Sequence, residues 1–186
     1  MEIRLAQQTD LEPFFQYLDI HLQGNGAGND VVFQPVPREE SRVTETIRNK
    51  FSVGVTKTIG EDGWRVLILA TLDYEDLVAR EIIGHIDIRP YPNKYSHHRA
   101  LLGMGVASQH RGKGIGERLL KSMLEWMRNN TVIEYLDLWV MSDNIPAIKL
   151  YEKLGFVACA NINDMYRFDE KSISESMMSL KVRGLQ

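Results

Sequence analysis

The feature that most limits how this chain can fold is a run of alternating glycines between a short apolar segment and an amphipathic one. Gly112, Gly114 and Gly116 follow an apolar segment, Leu101 to Val106, that predicts a strand. The residues after them predict a helix, because apolar side chains recur at helical spacing at Ile115, Leu119, Met123, Trp126 and Met127. The order strand, glycine turn, helix lets a ligand approach bare main chain where the helix begins.

A helix that begins in this way can bind phosphate oxygens, because its first N–H groups are free and the helix dipole is positive at that end. Arg111 and Lys113 add positive charge beside the turn. A tight turn without a ligand would also explain three glycines. The spacing excludes two familiar phosphate motifs, since neither Gly-Lys-Ser/Thr nor G-x-G-x-x-G is present.

The rest of the chain predicts further strands and helices with no repeat or linker, so we expect one α/β domain over residues 1–186. Turn residues mark Gly24 to Asp30 as a mobile loop and Gly60 to Gly63 as a hairpin. Helices are predicted after Asp10, within Arg38 to Phe51, and at Pro146 to Leu154, with Asp143 or Asn144 as its cap. The other predicted strands are Ile3 to Leu5, Ser52 to Thr58, Trp64 to Leu72, Glu81 to Arg89, Tyr135 to Met141, Val157 to Asn161 and Ser176 to Val182.

The composition and net charge argue against several classes of binding partner. A formal net charge of -3 provides no basic field for a nucleic acid backbone. The longest apolar runs, such as Val66 to Leu72, are too short to span a bilayer, and the N-terminus has charges where a signal peptide is apolar. We therefore expect a cytoplasmic protein without a membrane or nucleic acid partner. Cys159 has no second cysteine, and the adjacent His97 and His98 lack a spaced ligand partner, so no metal is expected.

Two motifs resemble the GNAT superfamily of N-acetyltransferases. The first is [Gln or Arg]-x-x-Gly-x-[Gly or Ala], present as Arg111, Gly114 and Gly116. The second is N-x-x-A-x-x-x-Y-x-x-x-G-F, present from Asn144 to Phe156. The strict match covers Leu101 to Phe156, and looser similarity begins at Ile82.

The resemblance implies a mixed, mostly antiparallel sheet flanked by helices, with a V-shaped opening between two central strands. It implies acetyl-CoA as acetyl donor, held by a core of about residues 82–160. The pyrophosphate would lie on the amides from Arg111 to Gly116, and the pantetheine arm would pair with the strand edge at Met104 to Val106. The expected cofactor-binding residues are Met104, Gly105, Val106, Arg111, Gly112, Lys113, Gly114, Ile115, Gly116 and Asn144.

Acetyl transfer requires a neutral amine, a donor to the developing oxyanion and a proton for the departing thiolate. The resemblance assigns the last role to Tyr151 as general acid, although Tyr151 also fits the apolar stripe of its helix. Asn144 matches a CoA-contacting position and fits a helix cap equally well. The oxyanion donor is expected to be the N–H of Val106 or its neighbour.

The general base does not carry over, because the strand position that is glutamate in some relatives, the ribosomal-protein alanine acetyltransferases, is Trp139 here. His85 and Asp87 share one strand face, and Asp137 shares a face with Trp139, so each of these three is a candidate. A histidine titrates near neutrality, and ordered water relaying a proton is an equal alternative.

The resemblance implies an acceptor that is a small-molecule amine or a peptide or protein amine, and the loop from Gly24 to Pro37 is expected to shape its pocket. The alternative function is a non-catalytic acyl-CoA-binding or sensing domain, because the base is unclear. A protein-interaction module is a third possibility. The chain is expected to be a monomer or a homodimer.

Overall fold

The computed structural model describes residues 1–28, 31–72 and 80–183. Its helices are α1 (Leu11–Gln23), α2 (Glu45–Gly54), α3 (Ile115–Asn130) and α4 (Ile145–Lys153). Its strands are β1 (Glu2–Leu5), β2 (Val66–Leu72), β3 (Glu81–Pro90), β4 (Arg99–Val106), β5 (Tyr135–Met141), β6 (Val157–Phe168) and β7 (Lys171–Lys181). No helix in the described part of the chain has the length and apolar character needed to cross a bilayer.

The seven strands form one sheet in the order β1-β2-β3-β4-β5-β7-β6. All neighbours are antiparallel except β4 and β5, which are parallel. These two strands pair only from Arg99 opposite Tyr135 to Leu101 opposite Asp137. Beyond that point both strands continue unpaired with each other, which opens the sheet in a V and confirms the predicted mixed, mostly antiparallel α/β fold.

Each face of the sheet is covered by its own helices. On one face, the α3 face, a large core joins α3 and α4 to the sheet, with Leu119, Met123 and Met127 fully buried. On the opposite face, the α1 face, Phe14 and Phe51 bring α1 and α2 against β2. Helix α1 extends across this face as far as β4, where its His21 lies against Gly105, so the opening of the V on this face lies beside α1.

The predicted strand from Ser52 to Thr58 is wrong. Alternating Val53 and Val55 favoured a strand, but α2 continues to Gly54 because Thr44 caps its start and Phe51 is buried beneath α1. Gly54 then allows the chain to turn back, since a Cβ there would lie 2.8 Å from the Arg65 Cβ. The segment Gly60 to Gly63 therefore joins a helix to β2 and is not a hairpin between strands.

The last two strands are longer than predicted. β6 continues to Phe168 and β7 begins at Lys171, whereas the predicted strands covered only Val157 to Asn161 and Ser176 to Val182. Asp169 and Glu170 both have positive φ, which suits a two-residue hairpin turn. Strand pairing overrides local polarity here because β6 is the edge of the sheet and is exposed along most of its length.

Candidate active site

The turn before α3 leaves its main chain bare. Gly112 and Gly114 have φ of +71° and +75°, a region that other residues adopt at a cost of roughly 1–2 kcal/mol. A Cβ at either position would meet nothing within 4 Å, so open space lies in front of the turn. The N–H groups of residues 112–116 have no acceptor in the described part of the chain. The turn is therefore a set of donors without protein acceptors.

The third glycine has a different role. A Cβ at Gly116 would lie 3.1 Å from Leu150 Cδ2 and 3.2 Å from Met104 Cε, so glycine permits close packing of α3 against α4 and β4. The Ile115 side chain is buried in the core, and this residue can offer only its main chain to a ligand. Lys113 is exposed, and Arg111 Nε donates to the Val106 carbonyl at 3.2 Å.

One edge of β4 faces the opening of the V. The Ala107 N–H donates to Ile83 O of β3 at 3.0 Å. Because successive main-chain groups of a strand point to opposite sides, those of Met104 and Val106 point away from β3 and into the opening. After Leu101 this edge pairs with no strand in the described part of the chain, and it can accept an extended ligand.

Helix α4 borders the same opening with two residues of the second motif. The Asn144 side chain accepts a hydrogen bond from Ala147 N at 3.3 Å, which confirms it as a helix cap and leaves its NH₂ group available. Tyr151 is 8% exposed, its ring lies 5.6 Å from that of Phe156, and its hydroxyl has no hydrogen bond to any described residue. Burial raises the pKa of Tyr151, so the phenol stays protonated at neutral pH.

The two glycines of β4 are covered on the α1 face by side chains from other elements. A Cβ at Gly105 would lie 2.9 Å from His21 Cδ2 of α1. A Cβ at Gly103 would lie 2.7 Å from Asp87 Oδ1 and 3.2 Å from Arg89 Nη1, both from β3. The missing side chains thus admit an imidazole, a carboxylate and a guanidinium to the edge of the V.

The structure separates the three side chains considered as a general base. His85 is buried under α1, with Tyr17 Oη 3.2 Å from its Nδ1 and the ring of Phe14 at 5.4 Å. Asp137 is fully buried and accepts hydrogen bonds from Arg99 at 2.6 and 2.7 Å and from the Tyr91 hydroxyl at 2.9 Å. Asp87 lies over Gly103 of β4, and its Oδ1 has no hydrogen bond to a described residue.

The expected specificity loop is partly organised by one side chain. Asn25 is buried and makes hydrogen bonds of 2.8 to 3.2 Å with the main chain of Phe33, Gln34 and Val36. These bonds give residues 33–36 a defined conformation. The mobility expected for Gly24 to Asp30 stays a prediction, and Asn29 and Asp30 lie outside the described residues. The Phe33 ring stacks on His21 at 4.8 Å, so the loop contacts the residue that covers Gly105.

Because two histidines are buried, the stability of the folded protein should depend on pH. Burial lowers the pKa of both His21 and His85 to about 3, with smaller effects from neighbouring positive charges. Because the unfolded chain binds these protons near pH 6.5, the folded state is most stable above that pH and loses stability as pH falls toward 3. Each histidine contributes a slope of about 1.4 kcal/mol per pH unit within this window.

We expect the free energy of unfolding, measured with urea, to fall between pH 6 and pH 4.5, where carboxylates contribute little. The fall should be steeper than the slope of about 1.4 kcal/mol per pH unit that a single histidine gives. His21→Phe should reduce the slope, because it removes one of the two buried histidines. A flat unfolding free energy across this range contradicts the burial of neutral histidines.

Sequence reasoning missed the residues that α1 and β2 bring to the site. Tyr17 and His21 are spaced four apart on α1, and the Tyr17 hydroxyl donates to Gly105 O at 3.1 Å. This spacing was visible but is also that of an ordinary core stripe. Tyr17 and His21 also line a cleft of about 630 Å³ that extends to Arg111. No three His, Cys, Asp or Glu side chains are grouped for metal binding within residues 1–28, 31–72 and 80–183.

Comparison with solved structures supports the fold. The chain superposes on yncA, described as a putative acetyltransferase from Salmonella typhimurium with its cofactor acetyl-CoA, with a TM-score of 0.78 and 15% identity over 100% of this chain and 96% of that one. An acetyltransferase of the GNAT family from Streptococcus pneumoniae gives a TM-score of 0.75 at 21% identity, covering 97% of this chain and 98% of that one.

Sequence relatives are similar over shorter segments. The L-amino acid N-acetyltransferase AaaT of Escherichia coli is 33% identical over 76 residues, which is 41% of this chain and 47% of that protein. The N-alpha-acetyltransferase RimI of Mycobacterium tuberculosis is 38% identical over 79 residues, 40% of this chain and 45% of that protein. The matched segments span less than half the length of these curated relatives.

A family model described as the acetyltransferase (GNAT) family matches residues 41–156, which is more than half of the chain. The matched range includes the bare turn before α3, the unpaired edge of β4 and the α4 motif. On this match, the chain belongs to the GNAT acetyltransferase family.

Proposed function

We propose that this protein is an N-acetyltransferase that binds acetyl-CoA in the V and transfers the acetyl group to a primary amine by direct attack. The observation that carries the proposal is the row of main-chain N–H groups of residues 112–116, which have no acceptor among the described residues and lie beside the unpaired edge of β4. We propose one catalytic domain over residues 1–186, with the acetyl-CoA core at about 82–160.

The donor groups suit a diphosphate. Free N–H groups at a helix start bind phosphate oxygens, and the open space in front of Gly112 and Gly114 leaves room for them. Arg111 and Lys113 supply compensating charge, and the Asn144 NH₂ group is a further donor. We propose that the pantetheine arm pairs with the main chain of Met104 to Val106, as an added strand would.

The chemistry divides among residues on both sides of the opening. A neutral amine nitrogen forms the new bond to the acetyl carbon while the carbon–sulfur bond breaks. We propose that the Val106 N–H, or its neighbour, stabilises charge on the acetyl oxygen and that Tyr151 gives its proton to the departing thiolate. The amine proton passes to Asp87 Oδ1, directly or through water, because Asp87 is the candidate base that lies over Gly103 of β4.

The acceptor binds on the α1 face, where the loop from Gly24 to Pro37 stacks Phe33 on His21. The names of the E. coli and M. tuberculosis relatives indicate amino acids and protein α-amines as their acceptors. We propose an acceptor of one of these kinds, either a small molecule or a peptide amine, and a chain that acts as a monomer or a homodimer. A cytoplasmic location stays a prediction.

The experiment that tests this function is thiol release from acetyl-CoA in the presence of a panel of amines, with acetylated products identified by mass spectrometry. We expect release that depends on both the amine and the enzyme. Tight acetyl-CoA binding with no acceptor in a broad panel would instead support an acyl-CoA sensor, and no binding at all would contradict both functions.

A further inference from the structure

The surface above Gly103 carries a paired positive and negative group at the root of the V. Gly103 lies two residues beyond the last β4–β5 pair, Leu101 opposite Asp137. On the α1 face, Asp87 Oδ1 and Arg89 Nη1 lie 2.7 and 3.2 Å from the place that a Gly103 Cβ would take. The missing side chain of Gly103 therefore lets both charged groups lie against β4 at the same point.

The bonding within this cluster leaves one oxygen open. Asp87 Oδ2 accepts a hydrogen bond from Arg65 at 2.5 Å, and both side chains are largely buried, with 5% and 10% of their areas exposed. The Arg65 guanidinium is fixed further by the Phe51 ring, 4.1 Å below it. Asp87 is thus held rigidly by one oxygen while its Oδ1 points to Gly103 without a hydrogen bond to a described residue.

The same cluster has more positive than negative charge. Arg65 already neutralises Asp87, and Arg89 makes only a 3.4 Å contact with the same carboxylate oxygen. Arg89 is also the more exposed of the two arginines, with 36% of its side chain accessible. An arginine in this position binds a carboxylate well, because its planar fork matches two carboxylate oxygens.

Across the opening, Trp139 provides an apolar wall. Trp139 lies two residues beyond Asp137 on the same face as Gly103 and is 43% exposed. Its pairing partner on the neighbouring strand β7 is Met177, which extends the apolar surface. An exposed tryptophan beside a charged pair suits a ligand with one apolar end and one charged end.

We propose that the acceptor is an α-amino acid with an apolar side chain: Asp87 receives its amine, Arg89 binds its carboxylate and Trp139 contacts its side chain. This inference rests on the proposed acetyl transfer and makes it more specific. A peptide amine lacks the adjacent carboxylate and would leave Arg89 without this partner.

The test compares amino acids with the amines that remain when the carboxylate is removed, with L-phenylalanine and phenethylamine as the lead pair and methionine and leucine pairs beside it. We expect kcat/KM for the amino acid to exceed that for the matching amine at least roughly 10-fold, as a charge-assisted contact provides. In Arg89→Gln, kcat/KM should fall at least roughly 10-fold more for the amino acid than for the matching amine, so that the preference disappears.

Arg48→Gln is the matched control, because Arg48 is an arginine of α2 with 34% of its side chain exposed and is paired with Glu12. It should keep the wild-type preference. Equal activity on both members of every pair, or equal losses on both in Arg89→Gln, would overturn the inference and show that Arg89 only supports the fold.

A measurement of acceptor binding distinguishes failure of this inference from failure of the proposed function. Calorimetry of phenylalanine and phenethylamine in the presence of CoA measures the preference without turnover. Preferential binding of phenylalanine that Arg89→Gln abolishes would support the inference even if no acetyl transfer occurred. Acetylation of peptide amines with no binding or turnover of free amino acids would overturn it and leave the proposed function intact.

Discussion

Gly114→Glu should reduce acetyl-CoA affinity by at least roughly 100-fold, equivalent to about 2.7 kcal/mol. Gly114 is the N-cap of α3, with its N–H among the donors of the bare turn. A glutamate there adds negative charge beside the proposed diphosphate and fills the space in front of the turn. Calorimetric titration of the purified variant with acetyl-CoA measures the effect.

The loss of acetyl-CoA affinity must be distinguished from the effect of backbone strain at Gly114. Gly63→Glu is the matched control, because Gly63 is also exposed and has φ of +74° against +75° at Gly114. Both variants should lose a similar 1–2 kcal/mol of stability, but only Gly114→Glu should lose acetyl-CoA. Wild-type affinity in a folded Gly114→Glu protein contradicts the proposed position of the diphosphate.

Tyr151→Phe should lower kcat by roughly 100- to 1,000-fold while the acetyl-CoA dissociation constant changes less than about 3-fold. The phenyl ring keeps its packing against Phe156, and the hydroxyl has no hydrogen bond to a described residue that could be lost. The melting temperature should therefore stay unchanged. Steady-state kinetics and thermal unfolding give these values.

Tyr166→Phe is the control for this substitution, because the Tyr166 hydroxyl donates to Glu175 at 2.8 Å within the β6–β7 hairpin. It should lower stability by about 1 kcal/mol without affecting kcat. If Tyr151→Phe leaves kcat unchanged, the tyrosine belongs only to the core and another group protonates the thiolate.

Local sequence patterns were sufficient to predict the part of the site that is proposed to bind acetyl-CoA. The three glycines and the helical spacing after them define the turn before α3, because each of these residues acts through neighbours in sequence. The block from Asn144 to Phe156 predicted a capped helix for the same reason, and the Asn144 cap is confirmed. The assigned roles of these residues toward acetyl-CoA stay predictions.

The part of the site that is proposed to bind the amine depends on contacts between residues far apart in the sequence. Asp87 and Arg89 could be placed on one strand face, but their approach to Gly103 depends on the register of β3 against β4. Arg65 joins them only because α2 ends at Gly54 and turns back into β2, where the sequence pattern had indicated a strand. His21 reaches Gly105 because α1 crosses the sheet at that position, and helix packing leaves no comparable local pattern.

The central claim is that main-chain N–H groups at the start of α3 bind the diphosphate of acetyl-CoA. The most direct measurement is an assigned ¹H–¹⁵N spectrum recorded during titration with CoA and, separately, with pantetheine, which lacks the diphosphate. We expect the amide resonances of residues 112–116 to shift strongly with CoA and far less with pantetheine. CoA binding that leaves these amides unshifted, or no CoA binding at all, would contradict the account.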